Sequence, residues 1–467
     1  MMRREFLRDV ALSAAALTLP SLAQTSPPAK LTRDEGAPAL IIPEDFLGLS
    51  YETAQLANPA FFAQTNKPLI ALFRELSTSG VLRIGGGSSE FATYSESDPV
   101  GAPPFEVFGP DTSHTIKQGT TTTALAIRNL RGFLDASGWT CIYGLNLGQG
   151  TKEDAAREAV AVARILGPRL LALQIGNEPD SFRNRYRPAA YGPADFLAEW
   201  NTFHSAIVAA LDAAHLKASF AGPDISNKLP YLTAFAAEAP KHPDIAFLTG
   251  HYYAMGPAGN PDATLANMLL PDPKLTTLKQ RDFPVVLDAM KSANLPFRMA
   301  EMNSCWNGGQ VGASDTFASA LWCADAIMRF AALGFSGVNL HGGGNGVYSP
   351  IVGSPSLGFS RRPEFFGIKF VQQLAGAHLY PCHLETPEDR ITAYMFSKQK
   401  NDFLALINKS DQTVTVATPM KHATAQWTLT APTLDSKEAV TLTQSKATSL
   451  RGNLVVLPPH TAILLRS

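Results

Sequence analysis

The chain has 467 residues, of which 45% are hydrophobic and 17% charged, with 39 basic against 40 acidic side chains and a formal net charge of −1. That balance, with no basic run, argues against a nucleic-acid or polyanion binder, which needs clustered Lys and Arg. The apolar content excludes intrinsic disorder, and the length is that of an enzyme: three domains at about 150 residues each, or fewer if one is an α/β barrel.

Residues 1–24 (MMRREFLRDVALSAAALTLPSLAQ) place Arg3 and Arg4 ahead of Phe6-Leu7 and an apolar run over 10–19. Pro20 ends the run, and Ser21-Leu22-Ala23 offers a small-x-small cleavage site. The pattern is similar to a Tat export signal cut after Ala23, so the mature chain is expected in the periplasm or outside the cell. The run is too short to span a bilayer, and no later stretch reaches about 18 apolar residues, so no membrane insertion of the mature chain is expected.

Residues 25–30 read as a linker and 31–45 as an extended segment. From residue 46 short apolar runs alternate with helical patterns. The predicted strands are 46–51 (FLGLSY), 81–85 (VLRIG), 140–145 (TCIYGL), 171–175 (LALQI), 218–221 (ASFA), 245–252 (IAFLTGHY), 297–300 (FRMA) and 337–340 (GVNL). Between them the 3.6-residue period predicts helices such as 155–166, 193–214, 315–333 and 364–374. Eight such alternations predict an α/β fold, a (β/α)8 TIM barrel over 46–375. A doubly wound sheet is disfavoured because no Gly-rich phosphate loop follows the first strand. After residue 376 Thr/Val/Leu alternation takes over in six runs, from ITAYMFS to TAILLRS. This predicts a C-terminal antiparallel β-sandwich over 376–467, to which 31–45 adds a strand.

Catalytic residues of barrels gather at the C-terminal ends of the strands. Those ends carry Glu52 on strand one, Arg83 on strand two, Asn177-Glu178 on strand four, Asp224 on strand five, His251-Tyr252-Tyr253 on strand six, Glu301 on strand seven and His341 on strand eight. Glu178 and Glu301 stand on one rim although 123 residues separate them. Two facing carboxylates are the minimal equipment for cleaving a glycosidic bond, one as proton donor and one as nucleophile. The donor needs a raised pKa and the nucleophile a lowered one, for which Arg83 is the inward-facing cation. A glutamate opening a helix also serves the helix dipole, so either residue taken alone has a structural reading as well. The polar company at one rim favours a polar ligand above it.

The blocks LRIGG (82–86), YGLN (143–146), GNEPDSF (176–182), AGPD (221–224), GHYY (250–253), AEMN (300–303) and SDTFA (314–318) together resemble the heparanase and β-glucuronidase family, glycoside hydrolase family 79 of clan A. The resemblance runs from about residue 46 to 379 and continues loosely through the C-terminal strands. It implies a retaining hydrolase with Glu178 as acid/base and Glu301 as nucleophile. It further implies that Asn177 holds the sugar 2-hydroxyl, that Tyr253, with His251, hydrogen-bonds the nucleophile, and that Glu52 binds sugar hydroxyls at the closed end of the pocket. Tyr252 joins this set in support.

The family's uronate-binding stretches correspond here to residues 305–309 and 344–348, which carry Trp306, Asn307, Gly308 and Tyr348. Trp306 stands where the family usually has Tyr, so the glucuronate preference is less determined than the catalytic class. Trp306 also reads as a plain stacking platform, and Tyr348 as a packed loop residue. Arg183, Arg185 and Arg187 read either as a subsite for an acidic aglycone or as a solvated loop. The near-neutral charge favours an exo-β-glucuronidase acting on terminal β-D-glucuronic acid over an endo-acting heparanase-like enzyme. Another clan A retaining β-glycosidase (β-glucosidase or β-xylosidase) and a non-catalytic carbohydrate-binding protein are the further alternatives.

The expected partner is therefore a carbohydrate, a β-glucuronide, and not nucleic acid; nothing in the sequence speaks to oligomeric state. No cofactor is expected. No H-E-x-x-H motif or Cys/His cluster occurs, and the cysteines (Cys141, Cys305, Cys323, Cys382) form no C-x-x-C pair. Free, mostly buried thiols are the preferred reading, with two disulfides formally possible.

Overall fold

The computed structural model describes residues 27–97, 120–271, 282–343, 346–447 and 451–467. The export signal expected over 1–24 lies outside the described residues, as do Gly344 and Asn345 of the expected uronate loop. Eight parallel strands close into a barrel: Leu47–Glu52, Val81–Gly85, Thr140–Leu145, Leu170–Ile175, Phe220–Ile225, Ile245–Tyr253, Phe297–Asn303 and Gly337–Gly343. The eighth pairs back onto the first, with Leu340 opposite Leu49. These runs form strands because most of their residues are buried, the condition of a parallel sheet covered on both faces.

Helices cover the outside. Asn66, Thr123 and Thr151 cap three of them by accepting from the backbone N–H three residues on, and Gly138 ends the helix Ala124–Ser137 in the left-handed conformation. Helix Phe317–Ala332 begins two residues later than the periodicity predicts, with Thr316 at its N-cap position. The fifth strand departs most from expectation. It begins at Phe220 and runs on through Gly222-Pro223 to Ile225, so Asp224 is a strand residue facing the barrel interior.

Two further sheets pack face to face. One is four-stranded and includes Ala29–Arg33 antiparallel to Cys382–Glu385; the other is seven-stranded, and in it Leu40–Ile41 pairs with His378–Tyr380. Leu31, Val416 and Leu457 from the first sheet share a buried core with Leu404, Leu406 and Ile463 from the second. Strand Ala425–Thr430, absent from the expected set, lies between Thr461–Arg466 and Thr441–Lys446.

The sandwich is anchored to the barrel through Asp325 on helix Phe317–Ala332. That carboxylate accepts from Tyr394 Oη, Thr392 Oγ1 and Lys409 Nζ, each at 2.7 Å. The four cysteines are free; Cys141, Cys305 and Cys323 are buried and Cys382 partly so. Among the described residues no helix is long and apolar enough to cross a membrane.

Candidate active site

Alternation along the second barrel strand decides the centre of the site. Leu82 and Ile84 join the apolar layer under the helices, so Arg83 between them turns into the barrel, where it is fully buried. A buried guanidinium needs partners for all its donors, and five residues supply them. Nη1 donates to Glu301 Oε2 at 2.7 Å and to Ser50 Oγ at 3.0 Å. Nη2 donates to Asp224 Oδ2 at 2.5 Å and Asn177 Oδ1 at 2.6 Å, and Nε to Gln174 Oε1 at 3.0 Å. Because Asn177 accepts through its oxygen, its amide NH2 is left to donate.

Glu301 faces Arg83 on one side and Tyr253 on the other, whose hydroxyl donates to Oε1 at 2.6 Å. His341 Nδ1 lies 3.7 Å from Oε2. Burial alone would raise the Glu301 carboxyl, yet His341, His251, Arg83 and the Tyr253 hydroxyl together hold it well below the usual carboxylate range. Glu178 behaves oppositely. It stands in the left-handed conformation (φ 50°, ψ 53°) just past the fourth strand, with its N–H donating to the Asp224 carbonyl at 2.9 Å. Burial pushes its carboxyl up, partly offset by His251 and reinforced by the Glu301 charge. One carboxylate oxygen of each glutamate lies within 4.8 Å of the other.

His251 Nδ1 is 2.9 Å from Glu178 Oε1, so its hydrogen bond goes to Glu178 and not, as expected, to Glu301. The reason lies on its other side, where Asp224 Oδ1 sits 3.0 Å from Nε2 and fixes the ring between strands four and five. Burial by itself would lower the imidazole; Asp224 and Glu301 reverse that and raise it well above its ordinary value. Tyr252 is also among the residues that border the site's cavity. Neighbours on a strand face opposite ways, so it packs edge-on against Phe330 at 5.2 Å while His251 and Tyr253 face the site.

Glu52 accepts from the Ser88 N–H at 2.8 Å and the Ser88 hydroxyl at 2.5 Å, with His341 Nε2 3.6 Å away. Gly86 makes this seat available: its φ of 74° is left-handed, and a Cβ there would stand 2.6 Å from the Glu52 carboxyl. Asn307, Gly308 and Gly309 follow one another with positive φ, and the Tyr348 N–H donates to the Gly308 carbonyl at 3.3 Å. Tyr348 is buried, with its ring 6.4 Å from Tyr253, whereas Trp306 is 45% exposed at the mouth. A cavity of about 840 Å³ joins these residues to the glutamate pair. Of the three clustered arginines only Arg185 borders it; Arg187 instead pairs with Glu199 and with the Leu147 and Gly148 carbonyls.

Sequence reasoning assigned no role to Asp224 or His341, although both stood among the strand-end residues, nor to Glu90. Glu90 is buried behind the fourth strand and accepts from the backbone N–H groups of Asn177, Gly148 and Leu147. Burial pushes its carboxyl up to about 7 against the pull of those donors. No motif marks it, because its partners are backbone atoms of distant loops. Glu178, His251 and Glu301 are close enough to be considered as a metal trio, but Arg83 at 2.7 Å from Glu301 already supplies the positive charge there.

An inward-facing carboxylate pair with opposed protonation tendencies, at the C-terminal rim of a closed barrel backed by a β-sandwich, defines a protein of the glycoside hydrolase class. No protein-family model matches the chain. It is similar to the β-glucuronidase of Neurospora crassa, 24% identical over 381 residues covering 74% of this chain and 66% of that one. It is also similar to the β-glucuronidase of Aspergillus niger, 26% identical over 340 residues covering 66% and 60%. The match thus spans about two thirds or less of these relatives' own length.

In fold it resembles a 4-O-α-L-rhamnosyl-β-D-glucuronidase from Fusarium oxysporum 12S (TM-score 0.74, 20% identity, 93% of this chain and 98% of that chain). It also resembles a family 51 arabinofuranosidase from Xanthomonas axonopodis pv. citri (TM-score 0.67, 15% identity, 94% and 99%). By these likenesses the chain is similar to β-glucuronidases.

Proposed function

We propose that the chain is a retaining exo-β-glucuronidase that releases terminal β-D-glucuronic acid from oligosaccharides or glycoconjugates. The observation that carries this reading is the glutamate pair: oxygens within 4.8 Å, one carboxyl held low and the other raised. So short a separation suits direct attack; inverting enzymes hold their carboxyl groups about 6.5–9.5 Å apart to admit a water. Glu301 attacks the anomeric carbon while Glu178 gives its proton to the leaving oxygen, and a glycosyl–enzyme ester forms. Glu178, now ionised, then takes a proton from water as that water breaks the ester, which restores both groups. The Asn177 amide donates to the 2-hydroxyl, Glu52 accepts from hydroxyls at the closed end, and Tyr348 with the Asn307–Gly308 backbone receives the uronate. Trp306 stacks at the mouth. Exo action is supported by the arginine cluster, which leaves a single guanidinium at the cavity. The twin-arginine leader supports action after export.

Turnover of an aryl β-glucuronide, compared with the matching β-glucoside and β-xyloside, tests the substrate class. The initial anomer, followed by proton NMR, tests retention. A second reading, as another clan A β-glycosidase, draws on the exposed Trp306 indole and predicts faster glucoside or xyloside turnover in the same assay.

A further inference from the structure

The opposite end of the barrel holds a cluster for which the proposed reaction has no use. His204 projects from helix Pro193–Ala213, and His242 and Asp244 lie in the turn before the sixth strand, which begins at Ile245. They therefore meet at the N-terminal mouth of the strands, away from the catalytic rim. One ligand-type atom from each residue lies within 4.8 Å of the other two. His204 Nε2 is 2.9 Å from Asp244 Oδ2. Two further atoms of the cluster, His242 Nε2 and Asp244 Oδ1, are shielded from solvent and make no hydrogen bond of 3.5 Å or less, although their side chains are 17% and 30% exposed. Glu238 Oε1 stands 3.6 Å from His242 Nε2, but Glu238 is engaged by Lys241 at 2.8 Å and by Asn201 at 3.3 Å. Trp200 stacks on His204 (centroids 4.7 Å, 15° between planes) and meets the His242 ring edge-on at 5.3 Å, which holds both imidazoles in place.

A shielded nitrogen and a shielded carboxylate oxygen without hydrogen bonds are disfavoured in a folded protein. A cation between them would satisfy both. Two imidazole nitrogens and one carboxylate oxygen are a donor set for zinc and its neighbours in the first transition row, with bonds of about 2.0–2.2 Å. Tetrahedral bonds of that length set ligand atoms roughly 3.4 Å apart, which lies between the 2.9 Å separation of His204 Nε2 from Asp244 Oδ2 and the 4.8 Å outer bound of the trio, within reach of side-chain rotation.

We propose that His204, His242 and Asp244 bind one divalent transition-metal ion, with water in the fourth position. The ion ties helix Pro193–Ala213 to the turn that feeds the sixth strand, so its effect is on stability and not on the chemistry at the far rim.

Untagged full-length protein, stripped with a chelator, is titrated with ZnCl2 by calorimetry and melted with and without zinc. One saturable site and a melting temperature several degrees higher are expected, since binding to the folded state alone stabilises by mass action. His242→Gln and Asp244→Asn should each remove the site, while Glu301→Gln, which breaks the catalytic trio, should leave it in place. Co2+ titration of the wild type gives a readout independent of any variant: an intense visible band from a low-symmetry site of nitrogen and oxygen donors. No saturable zinc site in the wild type overturns the proposal. So does a site that survives both His242→Gln and Asp244→Asn, or one lost in Glu301→Gln.

Discussion

Arg83 donates a 2.7 Å hydrogen bond to Glu301 from 218 residues upstream and reaches Asp224 with the same guanidinium. All three side chains are buried, so one cation balances two carboxylates where water cannot. Glu301 is thereby kept ionised and pointed at the cavity, with Tyr253 gripping its other oxygen.

Replacing Glu301 with Gln should reduce kcat on an aryl β-glucuronide by about three orders of magnitude or more, since the covalent route closes. The fold should survive, because an amide still accepts from Arg83. Circular dichroism with steady-state kinetics checks both.

Replacing Glu178 with Ala should cost roughly 10²–10⁴ in kcat for substrates with poor leaving groups and far less for activated aryl glucuronides, which leave without a proton. A plot of log kcat against leaving-group pKa should steepen. A slope equal to that of the wild type would remove Glu178 from the acid role.

The opposed shifts predict a bell-shaped pH profile of kcat/KM. Glu301, held low, must be ionised, so the acid limb falls only at low pH; Glu178, raised, must be protonated, so activity declines as pH climbs through its elevated value. Tyr253→Phe removes a donor from Glu301 and should move the acid limb up in pH. The same lowered carboxyl contributes stability that is present above its unfolded value, near 4.3, and is lost as pH falls through the folded one.

Arg83→Met removes the cation that the buried carboxylates of Asp224 and Glu301 share, leaving His251 and Tyr253 as their remaining close partners. Unfolding free energy should drop by about 3–5 kcal/mol, measured by urea melts at neutral pH. The loss should shrink as pH is lowered and those carboxyls protonate, an outcome that simple loss of packing would not give.

Glu90→Gln sets an amide NH2 against backbone N–H groups, because both carboxylate oxygens accept at present. About 1–3 kcal/mol of stability should be lost. As Asn177 shifts with its N–H unpaired, kcat should fall alongside, readable in thermal melts and kinetics of the one variant.

The eight strand positions were legible because parallel strands buried on both faces are continuous apolar runs, and the glutamate pair followed from reading what stands at each strand's end. Arg83 was legible as the inward cation by alternation alone. The partner of His251 was not. Its ring lies between Glu178 and Asp224, and which carboxylate takes the hydrogen bond depends on the path of the fifth strand, which runs through Gly222-Pro223 to Ile225, four residues beyond its predicted end. Glu90 was invisible for a different reason: it recognises backbone N–H groups, which carry no residue identity.

Apolar periodicity and the residues at strand ends thus sufficed for the barrel, the β-rich C-terminal region and the two carboxylates, since these depend on local pattern and on a topology that local pattern implies. The groups that set the opposite protonation tendencies of Glu178 and Glu301, the splitting of the arginine trio and the meeting of His204 with His242 and Asp244 emerged only from folding. Each depends on distances of a few ångströms between residues tens to hundreds of positions apart. Burial and Coulomb energies vary steeply over such distances, and linear spacing carries no trace of them.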